Sequence, residues 1–119
     1  MARILTADDS SSIRQMVSQA LSDAGHQVIT ANDGEEALGI AKSQTFDLVV
    51  SDINMPRLDG IGLVKALRQL GPYRFTPILI LTTESSGEKK SEGKRCGATG
   101  WLVKPFNPDT LLATINKVI

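Results

Sequence analysis

Phe46-Asp47-Leu48-Val49-Val50-Ser51-Asp52, followed by Ile53-Asn54-Met55-Pro56-Arg57-Leu58-Asp59-Gly60, is the stretch from which the rest of the chain can be read. Leu48-Val49-Val50 is apolar without alternation, the composition of a strand covered on both faces in a parallel sheet, and we place that strand over 46–51. It runs into an aspartate, and a loop over 54–60 follows, marked by Pro56 and Gly60.

The same alternation of short apolar run and amphipathic stretch repeats on either side. Upstream, residues 3–7 read as a strand. Residues 11–24 then place Ile13, Val17, Ala20, Leu21 and Ala24 at helical spacing, with Ser10 or Ser11 as N-cap and Gly25 past the end. Residues 27–31 form the second strand. Asp33 caps the next helix, whose first turn holds Glu35 and Glu36 at the positive end of the helix dipole. Downstream, Leu63, Val64 and Leu67 mark a helix ended by Gly71-Pro72, and residues 77–81 form the fourth strand. Residues 87–96 occupy the place of a helix but are rich in Ser, Gly and Lys, and Gly93 there costs about 1 kcal/mol relative to alanine. Residues 99–103 are the fifth strand. Asn107-Pro108 opens a last helix, with Leu111, Leu112, Ile115 and Ile119 on its buried face. Five such units predict an α/β fold: one doubly wound, five-stranded parallel sheet with helices on both faces and right-handed crossovers.

The 119 residues make one domain, and 41% hydrophobic with 22% charged residues is the balance of a globular chain. The longest apolar run, Ile78-Leu79-Ile80-Leu81, falls far short of the ~20 residues of a membrane span. Asp8 and Asp9 interrupt any N-terminal signal sequence. The single cysteine, Cys96, leaves no internal disulfide, fits a reducing cytoplasm and reads as a buried structural thiol. Thirteen basic and thirteen acidic residues disfavour a dedicated nucleic-acid binder. Residues 1–60 nevertheless carry four bases against nine acids, and residues 61–119 nine against four. A site that needs carboxylates and an ammonium can sit at that seam, although two differently solvated faces explain the count as well.

Parallel sheets bind ligands beyond the carboxyl ends of their strands. Those ends carry Asp8-Asp9, Asp52, Thr82-Thr83-Glu84 and Lys104-Pro105. Singly, each aspartate is a cap or turn residue, Thr82 an ordinary strand residue and Lys104 a solvated one. Together they place three carboxylates in one crevice, where like charges raise one another's pKa unless a cation intervenes. Only oxygen donors are at hand, and the lone His26 reads as a surface residue far from them, so the cation is a hard one, Mg²⁺. An ammonium and a hydroxyl beside it suit a phosphoryl group. No phosphate-cradling glycine loop is present, so a phosphoryl group carried on the protein's own aspartate is the economical reading.

In order and spacing, Asp8-Asp9, Asp52, Asn54-Met55-Pro56 with Asp59-Gly60, Thr82 and Lys104-Pro105-Phe106 resemble the receiver domains of two-component response regulators over essentially the whole chain. Within that family, the stretch Gly97-Ala98-Thr99-Gly100-Trp101-Leu102-Val103-Lys104-Pro105-Phe106 is similar to the single-domain chemotaxis regulators of the CheY type. The resemblance implies a flavodoxin-like sheet of order 2-1-3-4-5 and one receiver domain over 1–119 with no output domain. It implies that Asp52 accepts a phosphoryl group from a phosphohistidine on a sensor histidine kinase, a chemotaxis kinase. Asp9 and Asp52 would bind Mg²⁺ directly, Asp8 through a water, and Asn54 through its backbone carbonyl. Lys104 would pair with the phosphoryl group, and Pro105 matches the family's cis proline. Thr82 would be the switch hydroxyl. Trp101 stands where the family's switch aromatic is usually Tyr or Phe, and it is larger and carries only a donor. Its other reading is a half-buried anchor of the fifth strand. Asn54 and Glu84 would tune hydrolysis of the phosphoryl-aspartate.

Output would come from the face made by the fourth and fifth strands, the 87–96 segment and the last helix. Lys89, Lys90, Lys94 and Arg95 make that face basic, which suits an acidic partner segment, although plain solvation explains them too. The implied partners are a target such as a flagellar motor switch protein and a phosphatase, with no nucleic acid and no membrane insertion, for a cytoplasmic monomer that is not an enzyme in the ordinary sense. Two other classes compete. An Mg²⁺-dependent phosphohydrolase with an aspartate nucleophile would carry a second aspartate two residues on, where Asn54 stands, and it would need a cap domain. A receiver-like scaffold that is never phosphorylated has little support, because every chemical position is filled.

Overall fold

The computed structural model describes residues 2–82, 97–104 and 107–119, with Thr82 described by its backbone alone. The readings made for Thr83, Glu84, the 87–96 segment with its lysines, Arg95, Cys96, Pro105 and Phe106 lie outside the described residues. Five strands, β1 (Arg3–Ala7), β2 (Gln27–Ala31), β3 (Leu48–Asp52), β4 (Ile78–Thr82) and β5 (Gly100–Val103), form one parallel sheet in the order β2-β1-β3-β4-β5. Between them the described residues hold helices α1 (Ser11–Asp23), α2 (Gly34–Ser43) and α3 (Gly60–Arg68), a 3₁₀ turn (Gly71–Tyr73), and a C-terminal helix (Pro108–Asn116).

The continuous apolar strands are continuous because both faces are covered. Leu5, Val49, Ile78 and Ile80 point to the face carrying α2 and α3, while Ile4, Leu48, Val50, Leu79 and Leu81 point to the face carrying α1 and the C-terminal helix. Helix starts follow local chemistry: Ser10, Asp33, Asp59 and Asn107 each accept an N–H from the first turn of the helix they precede.

Several sequence expectations shift: β4 and β5 start one residue later than expected, β4 runs on to Thr82, and α1 ends at Asp23 with Ala24 as its C-cap. The third strand is 48–52, not 46–51, because Asp52 still pairs in register with Leu81, while Phe46 is buried outside the ladder. The 54–60 loop ends earlier: Asp59 is the N-cap of α3 and Gly60 its first residue. Ile119 is 50% exposed, because the last helix stops at Asn116 before a fourth apolar position can turn inward. His26 is half-buried, and its Nδ1 accepts the N–H of Ala2 at 3.1 Å, tying the start of β1 to the entry of β2.

Candidate functional site

The carboxyl ends of β1, β3 and β5 converge on one cluster. A carboxylate oxygen from each of Asp8, Asp9 and Asp52 can lie within 4.8 Å of the others. Asp8 is buried and tied on every side. Its N–H donates to Ala31 O at 3.2 Å, and its carbonyl accepts from Arg14 Nη1 at 2.8 Å. Its Oδ1 accepts from the Ser10 N–H at 2.9 Å and its Oδ2 from Lys104 Nζ at 3.0 Å. Asp52, also buried, closes β3; its Oδ1 accepts the Ile53 N–H at 2.8 Å and lies 3.4 Å from Lys104 Nζ. Asp9 is exposed at the open side of the cluster.

Lys104 is thus the internal cation between two buried carboxylates. It does not fully compensate them. Burial, and then the Asp8 charge, push the Asp52 carboxyl above its ordinary value, against the lowering by Lys104 and the Ile53 N–H. The carboxylate repulsion expected from the sequence is present, but burial of Asp52 at the end of β3 is the larger cause. An all-oxygen donor set with surplus negative charge and one exposed member fits a hard divalent cation.

Residues 4–116 match the response regulator receiver domain family. The chain belongs to that family. This receiver domain is 43% identical over 117 residues to a probable transcriptional regulator ycf27 of Porphyridium aerugineum, covering 98% of this chain and 48% of that one. It spans about half the length of several such curated relatives. It is 38% identical to protein PilH of Pseudomonas aeruginosa, covering 100% of this chain and 98% of the other. Among solved structures it is similar to the chemotaxis response regulator CheY4 of Vibrio cholerae, at 60% identity and a TM-score of 0.97, covering 100% of this chain and 99% of that one.

Of the residues singled out from sequence, the receiver domain brings Asp8, Asp9, Asp52 and Lys104 together. Asn54 is exposed on the loop two residues beyond Asp52. Trp101 pairs in register with Ile80 and packs half-buried against the α2–α3 face, and its indole Nε1 is buried with no partner among the described residues. Thr82 is the last residue of β4, in register with Val103; Glu84 lies outside the described residues. Sequence reasoning missed Arg14, whose hold on the Asp8 carbonyl has only its position one turn into α1 as a signal. It also missed the Arg57–Asp33 ion pair, which no local pattern announces across the intervening chain.

Proposed function

We propose that this receiver domain is a phosphorylation-driven switch of a two-component system. The observation that supports it best is Lys104 Nζ lying between the buried carboxylates of Asp8 and Asp52, with Asp9 at the open side. Asp9 and Asp52 directly, Asp8 through a water and Asn54 through its backbone carbonyl would hold Mg²⁺, which when bound offsets the negative charge gathered on a transferring phosphoryl group. The Asp52 carboxylate attacks phosphorus as the phosphorus–nitrogen bond of a kinase phosphohistidine breaks. Lys104 then leaves the Asp52 carboxylate and pairs with a phosphoryl oxygen. Ties to Ala31, Ser10 and Arg14 hold Asp8 still while this happens, so positioning is arranged in advance.

Thr82 and Trp101 carry the state of Asp52 to the face made by β4, β5 and the C-terminal helix, whose affinity for a target changes. The named chemotaxis relative favours a chemotaxis kinase upstream. A flagellar motor switch protein as target, an auxiliary phosphatase and a cytoplasmic monomer complete the proposal. Hydrolysis of the phosphoryl-aspartate is tuned by the residues at positions 54 and 84, Asn54 and Glu84. Acetyl phosphate with Mg²⁺ should label the wild-type protein and Asp23→Asn, but not Asp52→Asn. Full labelling of Asp52→Asn would move the phosphoacceptor elsewhere, and steady turnover of small phosphomonoesters would favour a hydrolase instead.

A further inference from the structure

The loop from β3 to α3 is held by contacts for which the phosphoryl chemistry has no use. Arg57 has a φ of 69°, the only non-glycine positive value among the described residues. The N–H of Leu58 donates to Pro56 O at 2.8 Å, which makes Arg57 the centre of a γ-turn of the rare, strained hand. Such a conformation persists only where its surroundings over-determine it. Two contacts do so here. Arg57 Nε donates to Asp33 Oδ2 at 2.8 Å, with the Asp33 side chain almost fully buried although Arg57 itself is largely exposed. The Leu58 carbonyl rests against Gly34, where a Cβ would collide with it.

Asp33 is itself anchored, since its Oδ1 caps α2 through the Glu36 N–H at 2.8 Å. It stands two residues after Ala31, whose carbonyl accepts the Asp8 N–H. The loops following β1, β2 and β3 are therefore linked around the carboxylates, and the Arg57–Asp33 pair is the link that fastens the loop bearing Asn54. We infer that this ion pair is a positioning clamp: it holds the strained β3–α3 loop in the shape that completes a divalent-cation site, so Arg57 and Asp33 set cation affinity without touching the cation. The inference rests on the Mg²⁺ reading of the acidic cluster.

Charge and position predict opposite signs. Removing a cation near an acidic site would, by charge alone, tighten Mg²⁺ binding. Loss of a clamp weakens it. Calorimetric titration of the full chain with Mg²⁺, without any phosphoryl donor, should show Arg57→Gly binding roughly tenfold more weakly than wild type. Its melting temperature should change little, because relief of the positive φ by glycine offsets loss of the ion pair to Asp33. Asp33→Asn, which keeps the cap, should weaken binding too, and the double variant should bind no more weakly than the weaker single one. Arg57→Gly binding as tightly as wild type, or losses that add in the double variant, would overturn the clamp. A wild-type chain that does not bind Mg²⁺, or Asp9→Asn binding as well as wild type, would overturn the metal reading and the clamp with it.

Discussion

The two ends of the sheet treat charge in opposite ways. At the amino ends of the strands, Arg68, Tyr73 and Arg3 direct their polar groups to backbone carbonyls. Arg68 donates to the carbonyls of Gly97, Tyr73 and Thr76. The Tyr73 hydroxyl donates to the carbonyls of Ala41 and Gln44, and Arg3 reaches Thr45 O and Gln44 Oε1 while lying over the Phe46 ring. At the carboxyl ends, Asp8 and Asp52 share one ammonium, and the Asp52 carboxyl is held above its ordinary value. One end closes the fold; the other gathers unfavourable negative charge that a bound cation would offset. A chemical site is poised because it is left electrostatically incomplete on a frame that is complete.

The comparison breaks most visibly at Arg68. Arg68→Ala strands several backbone carbonyls at the base of β4 and β5, and it should cost about 3 kcal/mol in urea unfolding. Labelling of Asp52 per folded molecule should stay unchanged; a labelling defect with intact stability would mean that the two ends are not separable.

The opposite sign is expected at Asp52. A carboxyl that titrates above its ordinary value of 3.8 in the folded state holds its proton more tightly there than in the unfolded chain. The folded state therefore loses stability as pH rises through that raised value. Asp52→Asn should stabilise the metal-free protein at neutral pH, and the gain should vanish in more acidic solution as the wild-type carboxyl takes up its proton. Melting curves across pH without metal measure this; a destabilised Asn variant at neutral pH would mean that Lys104 outweighs burial.

The smallest effect sharpens the comparison between the ends at Trp101. Its N–H is buried and has no partner among the described residues, so Trp101→Phe should cost less than about 1 kcal/mol, the lost packing being offset by removal of that donor. In the wild-type protein, Mg²⁺ with beryllium fluoride should shift the emission of this sole tryptophan as two packings exchange population. Emission that ignores the phosphoryl mimic, with binding shown independently, would leave Trp101 a strand anchor alone.

Much of this was legible in the chain. Unbroken apolar runs announced strands covered on both faces. Asp33 and Asn107 announced helix starts, because a cap acts over three residues and is written locally. The meeting of Asp8, Asp9, Asp52 and Lys104 followed from topology, since parallel strands put all their carboxyl ends at one edge of the sheet. Only the tertiary structure decided what depends on partners distant in sequence. Asp52 belongs to the third strand because Leu81 pairs with it, and its carboxyl is raised first by burial, which no spacing encodes. Asp33 looks like a cap and nothing more until Arg57 arrives from the far side of β3, and Arg57 looks like a loop arginine until its backbone is seen in a strained turn that this partner helps to hold. Local propensity is a property of neighbouring residues and can be read in order; desolvation, strain and long-range pairing arise only when the folded chain excludes water and brings separate segments into contact.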